Sequence, residues 1–231
     1  MADAFFMTGT DTEVGKTYIA SALLRGAAAQ GLTTLAVKPV AAGCEETPEG
    51  RRNEDALRLQ EAMTLSEPYE RINPVALLEP LSPHLAARHE GVEISVQDLA
   101  DHCRRMLERP VDFALVEGAG GWRVPLNARE DMSDLARALA LPVILVVDMR
   151  LGCLNHALLT AEAIQRDGLF LAGWIANQHQ PEPMMAKAEN LQTLIQKMPA
   201  SCLGQVDYQD PQPAFDWELL RKAALAAADL K

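Results

Sequence analysis

A glycine-rich segment near the start of the chain limits the possible folds more than any other feature. It reads Thr8-Gly9-Thr10-Asp11-Thr12-Glu13-Val14-Gly15-Lys16-Thr17, and it lies between an apolar run at residues 4–7 and a stretch of helical spacing at residues 17–30. A strand, a loop and a helix in this order are the context of a phosphate-binding loop. Glycines let the backbone curl so that N–H groups at the helix N-terminus face an anion. The segment predicts a site for a phosphorylated ligand.

Two side chains of the loop indicate a nucleotide bound with magnesium. Lys16 can reach the outer phosphates, and the Thr17 hydroxyl can bind Mg²⁺. Five residues separate Gly9 from Gly15, whereas the usual pattern has four. This spacing argues against a plain kinase-type loop.

Short apolar runs rich in Val and Ile alternate with helical stretches along the rest of the chain. The runs lack strict alternation of polar and apolar residues, which is typical of parallel strands buried on both faces. We predict strands at residues 4–7, 34–37, 113–116, 143–147, 169–176 and 203–206, and helices at residues 17–30, 54–63, 96–108, 132–139, 155–166, 184–197 and 217–227. This order favours an α/β fold with a doubly wound, mostly parallel sheet, helices on both faces and a P-loop NTPase-like architecture.

The chain shows no internal repeat, low-complexity tract or linker-like change in composition, so residues 1–231 are predicted to form a single domain. Its least regular parts are residues 41–50 and 66–91, where four prolines interrupt any long element. In a doubly wound fold, ligands bind beyond the carboxyl ends of the strands. We predict that these irregular segments are active-site loops.

Charged side chains stand at two strand ends and one helix start. Glu117 ends the third predicted strand, where it can bind Mg²⁺ or a water ligand of Mg²⁺. Asp55 begins a predicted helix; alone it would be a partner of the helix dipole, but together with Thr17 and Glu117 it indicates a metal ligand. Lys38 ends the second strand before Pro39 and is predicted to point into the crevice, although local spacing leaves a solvated strand-end lysine open.

The composition excludes several function classes. A formal net charge of −11 and a pI near 4.9 argue against nucleic acid or an anionic membrane as partner, because both need clustered Lys and Arg. A local nest of N–H groups with lysines and a metal ion can still bind ATP.

The cysteines and the N-terminal residues bear on the compartment. Cys44, Cys103, Cys153 and Cys202 show no C-x-x-C or Cys/His spacing, which favours reduced thiols in a cytosolic protein. The first residues contain neither a basic segment nor a signal cleavage site, and no apolar run approaches membrane-spanning length. We expect a cytoplasmic protein.

Several motifs together resemble the dethiobiotin synthetase family. They are Gly9 to Thr17 with its five-residue glycine spacing, Lys38-Pro39-Val40, Asn53-Glu54-Asp55-Ala56-Leu57, Ser82-Pro83-His84, Glu117-Gly118-Ala119-Gly120-Gly121-Trp122, Leu151-Gly152-Cys153-Leu154-Asn155-His156 and Gly173-Trp174-Ile175-Ala176-Asn177. The match runs in the family's order from residue 4 to about residue 208.

The resemblance implies a homodimeric ligase that converts 7,8-diaminononanoate, CO₂ and MgATP to dethiobiotin, ADP and phosphate. In that scheme an amine captures CO₂ as a carbamate, the carbamate attacks the γ-phosphate, and the second amine displaces phosphate to close the ring. Lys16 and Lys38 are implied as catalytic residues, and Thr17, Asp55 and Glu117 as Mg²⁺ ligands. Neither nucleic acid nor a membrane is expected as a partner.

The resemblance also implies binding residues. Those implied for ATP are Glu13, Val14, Gly15, Lys16, Thr17, Tyr18, Asp55, Glu117, Gly118, Ala119, Gly120, Asn177, Gln178, Val206, Asp207 and Tyr208; the last five surround the adenine. Those implied for the diamine are Thr12, Lys38, Ala42, Gly152, Cys153 and Asn155. The residues from Gly152 to Asn155 act from the dimer partner, where a helix N-terminus meets the substrate carboxylate.

The sequence departs from the family pattern at three places. Ala42 stands where family members often carry a serine that contacts substrate, and loss of such a hydrogen bond typically costs about 1–3 kcal/mol. Gln178 stands where an acid commonly follows the adenine-binding asparagine, and residues 209–231 match loosely. These departures leave open a lower turnover, a modified diamine and a different nucleotide preference.

Three alternatives remain open at this point. A partition or septum-site ATPase has a related fold, but such proteins carry an additional lysine early in the loop, where this chain has Thr10 and Asp11. Residues 217–230 also lack a basic face for an anionic membrane. A small-molecule kinase is indicated by the loop alone. A non-catalytic nucleotide-binding regulator, descended from the ligase, is consistent with Ala42.

Overall fold

The structure is a computed structural model that describes residues 3–228. Its helices are α1 Lys16–Ala29, α2 Glu54–Ala62, α3 Tyr69–Ile72, α4 Pro83–Glu90, α5 Val96–Leu107, α6 Met132–Leu139, α7 Cys153–Arg166, α8 Lys187–Lys197 and α9 Trp217–Ala228. Its strands are β1 Asp3–Gly9, β2 Thr34–Val37, β3 Val40–Ala41, β4 Glu45–Thr47, β5 Gly50–Arg52, β6 Val75–Ala76, β7 Phe113–Glu117, β8 Val143–Asp148, β9 Leu171–Asn177 and β10 Cys202–Val206. The prediction that residues 217–230 lack a basic face includes residues 229–230, which lie outside the described residues.

Six strands form one parallel sheet in the order β10-β9-β8-β1-β7-β2. The α/β prediction is therefore confirmed. The strand order reverses beside β1, because β2 and β7 lie on one side of it while β8 to β10 lie on the other. Ligand crevices in doubly wound folds form at such a switch point. The glycine-rich loop follows β1 and occupies that position.

Burial explains why the central strands read as continuous apolar runs. Every residue of β7 and of β8 is buried. Phe5, Phe6 and Met7 of β1 are fully buried as well. Helices cover both faces, so no face of these strands is left for polar residues.

Two helices and two small sheets lie in segments that the sequence predicts as loops. Helices α3 and α4 fall within residues 66–91, and β3 pairs with β6 in parallel while β4 pairs with β5 as an antiparallel hairpin. The prediction of an irregular segment was wrong for α4, which has Pro83 at its start and Gly91 at its end with φ 66°. Proline at the first helical position and glycine just beyond the last one mark the two ends of a helix and do not interrupt it.

Three boundaries differ from the predicted ones for identifiable reasons. Helix α7 begins at Cys153 after Gly152 at φ 97°, two residues before the predicted start at Asn155. Helix α8 begins at Lys187, because Ala186 adopts a left-handed conformation with φ 56°. The backbone N–H of Leu169 donates to Ile164 in the closing turn of α7, so β9 starts later than predicted.

Candidate active site

The loop after β1 is curled by residues in the left-handed conformation. Glu13 has φ 57° and Gly15 has φ 84°. A Cβ atom at Gly9 would lie 2.5 Å from the side chain of Val14, so the loop closes tightly on its first glycine. The Lys16 ammonium donates to the backbone oxygen of Asp11 at 3.1 Å across the loop. Lys16 then opens α1, as a phosphate-binding loop requires.

The end of β9 supports the loop from behind. Asn177 is buried, and its side-chain amide donates to the backbone oxygen of Val14 at 2.8 Å. A Cβ atom at Gly15 would lie 2.3 Å from that amide nitrogen, so a side chain at this position would displace the Asn177 amide from Val14. This packing is one physical reason for the second glycine of the motif.

Lys16 is a buried lysine with a perturbed pKa. Burial, followed by the positive charge of Lys38, lowers the pKa of Lys16 to about 8. The carboxylates of Glu117 and Asp55 oppose this shift without cancelling it. The Lys16 side chain therefore loses its charge within reach of ordinary assay conditions.

Lys38 lies in a cluster with both predicted carboxylates. Its ammonium lies 2.9 Å from Asp55 and 2.5 Å from Glu117, and it is 4% exposed. The Thr17 hydroxyl donates to the same Glu117 oxygen at 2.7 Å. The solvated strand-end lysine that the spacing left open is thus excluded.

The ion pairs of this cluster shift the pKa values of Lys38 and Asp55 so that both side chains stay charged. Burial works to lower the pKa of Lys38, but the adjacent Glu117 and Asp55 outweigh it and raise the pKa above the ordinary lysine value. Burial works to raise the pKa of Asp55, but Lys38 beside it brings the pKa below the usual range. Lys38 and Asp55 therefore remain charged at neutral pH.

The predicted magnesium ligands converge and fit a hydrated divalent cation. The second carboxylate oxygen of Glu117 is buried and has no hydrogen-bond partner among residues 3–228. Such an oxygen is the donor that a hard cation requires. Within the same residues, no group of three or more His, Cys, Asp or Glu could bind a metal ion. Mg²⁺ commonly needs only one or two carboxylates, with phosphates and waters as further ligands.

The loop and the cluster line a cavity of about 570 Å³. Of the predicted site residues, it contains Thr12, Glu13, Gly15, Lys16, Thr17, Tyr18, Lys38, Ala42, Asp55, Ala119 and Gly120. Val14, Glu117, Gly118 and Asn177 are buried beside or behind this wall.

The structure does not bring the residues predicted for the adenine, Gln178, Val206, Asp207 and Tyr208, into the cavity wall. Side-chain contacts with the start of α8 connect two of them. Gln178 accepts from the Lys187 ammonium at 2.6 Å and donates to the backbone oxygen of Gln180 at 3.0 Å. Lys187 also lies 2.7 Å from Asp207. Of its neighbours, Val206 is buried and Tyr208 is 39% exposed. The Gln178 amide is thus engaged at both ends within the protein.

Residues Gly152, Cys153 and Asn155 lie outside the cavity of their own chain. They form the start of α7, where Gly152 and Asn155 are exposed and Cys153 is buried. The preceding Leu151 is 89% exposed. Their predicted role needs a second copy of the chain.

Sequence reasoning missed several residues of the cavity wall. Asn53, Arg58 and His179 line it, together with residues 80–83. The prolines of residues 80–83 indicated an active-site loop. Asn53 lies two residues before the predicted Asp55, and His179 directly follows the predicted Gln178. Arg58 lies one helical turn after Glu54 and carried no signal of its own.

Across residues 3–228, none of the helices is long and apolar enough to cross a membrane.

The parallel sheet, the curled glycine loop and the group formed by Lys16, Thr17 and Glu117 define a nucleotide-binding protein of the P-loop NTPase class. A family model described as an AAA domain matches residues 3–212. Among solved structures, chloroplast FtsY from Physcomitrella patens has a TM-score of 0.56 and 18% identity, over 97% of this chain and 65% of that one. This similarity shows the fold alone.

The curated relatives narrow the class to a family. The ATP-dependent dethiobiotin synthetase BioD of Pseudomonas paraeruginosa is 58% identical over 203 residues, which cover 88% of this chain and 89% of that protein. The enzyme of the same name from Cellvibrio japonicus is 56% identical over 88% of each chain. The chain belongs to the ATP-dependent dethiobiotin synthetase family.

Proposed function

We propose that this protein uses ATP and Mg²⁺ to carboxylate 7,8-diaminononanoate with CO₂ and to close the ureido ring of dethiobiotin. ADP and phosphate are the other products. Family membership supports the reaction, and one observation links it to this chain. The ammonium groups of Lys16 and Lys38 face one cavity that also holds the phosphate loop. A reaction that forms a carbamate and transfers a phosphoryl group needs positive charge at both places.

Each proposed step builds or moves negative charge. One amine adds to CO₂ and loses a proton, which gives a carbamate beside Lys38. A carbamate oxygen then attacks the γ-phosphate while Lys16 and the loop N–H groups stabilise the charge that leaves on ADP. The second amine attacks the carboxyl carbon of the resulting anhydride, and phosphate departs as the ring closes. Donors that are already in place stabilise such charge without reorganisation.

The positive charges of Lys16 and Lys38 equal the negative charges of Asp55 and Glu117. These four side chains therefore supply no net positive charge to offset a triphosphate. Bound Mg²⁺ supplies that positive charge and offsets charge on the phosphate oxygens. Thr17, Asp55 and Glu117 are the residues proposed to hold it. The unpaired oxygen of Glu117 supports this assignment.

The proposed homodimer accounts for residues that the cavity does not contain. The start of α7 offers backbone N–H groups and partial positive charge to the substrate carboxylate from the partner subunit. Two large apolar side chains on this part of the surface support an interface, because Leu151 is 89% and Leu159 is 56% exposed. Asn177, which is buried behind the phosphate loop, is proposed to recognise the adenine.

Product formation tests this proposal directly. Purified protein is incubated with MgATP, bicarbonate and 7,8-diaminononanoate, and phosphate release is compared with dethiobiotin measured by mass spectrometry. We expect phosphate release that requires both co-substrates and equals dethiobiotin formed. Phosphate release that ignores the diamine would indicate a partition-type ATPase. Phosphorylated diamine without ring closure would indicate a kinase, and no release with intact ATP binding would indicate a regulator.

A further inference from the structure

Tyr69 and Asn73 join two segments that carry reactive side chains. Tyr69 is the first residue of α3, and Asn73 follows its last residue. They are 5% and 3% exposed, respectively. We call this pair the Tyr69–Asn73 bridge. Neither residue lines the cavity, and neither belongs to the predicted site.

The bridge holds the backbone of Lys38. The side-chain amide of Asn73 donates to the backbone oxygen of Lys38 at 2.7 Å and to that of Val75 at 3.2 Å. The backbone N–H of Lys38 donates to Ile72 at 2.8 Å. Both main-chain polar groups of Lys38 are therefore fixed by the end of α3, where β2 has already ended.

The other end of the bridge holds the start of α2, the helix that carries Asp55. The backbone N–H of Asn53 donates to the Tyr69 hydroxyl at 2.7 Å, and this hydroxyl donates to the side-chain oxygen of Asn73 at 3.0 Å. The Asn53 side chain caps α2 by accepting from Ala56 at 3.3 Å. Asp55 follows Asn53 by two residues, so its position depends on the same hydroxyl.

The hydroxyl has little freedom to move. It is the acceptor of one hydrogen bond and the donor of another, and the guanidinium of Arg52 lies 4.3 Å from the ring centroid of Tyr69. Asn53 is buried as well, at 8% exposure. Loss of the hydroxyl would leave the Asn53 N–H buried without an acceptor, and a buried unsatisfied donor is costly. The chain can avoid that cost only if the start of α2 shifts.

We propose that Tyr69 and Asn73 are positioning residues for the ring-closing reaction. The bridge fixes the spacing between the Lys38 ammonium and the Asp55 carboxylate, which are 2.9 Å apart. This inference rests on the proposed function for its kinetic consequences. Its structural content, that the bridge holds the start of α2, can be measured without turnover.

The first test is Tyr69→Phe, which removes only the hydroxyl. We expect kcat to fall by roughly five- to tenfold, because one buried hydrogen bond no longer holds Asp55 against Lys38. The KM for ATP should stay within about twofold, because the loop that binds the phosphates is not held by the bridge.

Thr34→Val is the matched control for this variant. Thr34 is buried at the opposite end of β2 from Lys38, and its hydroxyl accepts from the backbone N–H of Thr64 at 2.9 Å. This variant also removes a buried hydroxyl that accepts a backbone hydrogen bond, so it reports the effect of lost stability alone. It should lower the melting temperature while kcat stays near the wild-type value.

Hydrogen–deuterium exchange, followed by mass spectrometry, measures how firmly the start of α2 is held. The backbone N–H of Asn53 donates to the Tyr69 hydroxyl, and the N–H of Ala56 donates to the Asn53 side chain. We expect peptides that cover residues 53–57 to exchange faster in Tyr69→Phe and at the wild-type rate in Thr34→Val. Equal kcat and equal exchange of these peptides in the two variants would overturn the proposal.

The two proposals fail in different ways. If the wild-type protein forms no dethiobiotin, the proposed function is wrong, and the hydrogen-exchange comparison still decides whether the bridge holds the start of α2. The double variant Tyr69→Phe/Asn73→Ala adds an internal check. Because both residues act through one connection, the double variant should lose no more kcat than Asn73→Ala alone. Additive losses would show that the two residues act separately.

Discussion

The phosphate end of the cavity and the predicted adenine end, whose residues Gln178, Lys187 and Asp207 are not part of the cavity wall, are built by different means. At the phosphate end, Lys16, Lys38 and Glu117 are at most 7% exposed and are tied to the ends of strands or the start of a helix. At the predicted adenine end, Lys187 joins Gln178 to Asp207, and Asp207 is 82% exposed. The first arrangement is held by the packed core, and the second by side chains that cross between loops.

This difference indicates that the phosphate end is the more rigid part. A buried ion pair such as Lys38 with Glu117 gains little net stability, because both charges lose their water. Its presence is better explained by the reaction, which needs positive charge fixed before substrate binds. An exposed pair such as Lys187 with Asp207 contributes only about 0–1 kcal/mol. We therefore expect loss of Lys38 at the phosphate end to affect mainly kcat, and changes at the predicted adenine end to affect only the KM for ATP.

Lys38→Met should give the largest effect. It keeps most of the side-chain volume but removes the ammonium that is proposed to hold the carbamate. We expect kcat to fall by at least about 100-fold, because loss of one donor that stabilises transition-state charge typically lowers kcat by about this factor or more. ATP binding, measured by calorimetry, should be largely retained, because Lys16 and the loop are unchanged.

The same variant leaves Glu117 buried beside Thr17 without its cation, so its folding has to be checked. Loss of one partner of a buried pair commonly costs about 3–5 kcal/mol. A lower melting temperature with unchanged ATP affinity is the expected combination. A kcat near that of wild type would remove Lys38 from the mechanism. The phosphate end would then no longer differ from the predicted adenine end in its effect on kcat.

The pH dependence of ATP affinity should give an intermediate effect. The pKa of Lys16 is lowered to about 8 by burial and by the charge of Lys38. As pH rises through this value, the free protein loses the Lys16 charge, and ATP binding must then take up a proton. The affinity should therefore weaken above pH 8 by up to about tenfold per pH unit.

Calorimetry of ATP binding between pH 7 and pH 9.5 checks this expectation. The charge of Lys38 should persist across this range, because its pKa is raised. In a Lys16→Arg variant the cation cannot be lost, so whatever affinity remains should not vary with pH. A flat profile in the wild-type protein would show that Lys16 stays protonated and would contradict the burial argument.

The sequence predicted that the residues of the phosphate end lie together, because each part of this arrangement is local. The spacing from Gly9 to Thr17 places N–H groups and a lysine at a helix start, and Glu117 ends a strand that any parallel sheet brings to the same edge. Periodicity likewise identified all six strands of the main sheet. These features depend on neighbouring residues and on rules that hold for the whole fold class.

The remaining parts could not be predicted because they depend on distant pairs. Lys187 is one lysine of an ordinary amphipathic helix, and only the folded chain brings it to Gln178 and Asp207. Tyr69 and Asn73 sit in a segment whose prolines indicated a loop, and their contacts with Asn53 and Lys38 span 16 and 35 residues. No local pattern encodes such pairings.

Lys187→Met should give the smallest effect and tests the adenine end directly. It removes the cation between Gln178 and Asp207 while keeping the apolar part of the side chain. We expect the KM for ATP to rise by about two- to fivefold with kcat unchanged, because a partly exposed pair contributes at most about 1 kcal/mol. Lys222→Met is the matched control, since Lys222 forms an exposed pair with Glu218 on α9, whereas the pair of Lys187 involves the predicted site residues Gln178 and Asp207. A fall in kcat for Lys187→Met, with KM unchanged, would mean that the adenine end also positions the reacting groups, and the contrast between the two ends would no longer hold.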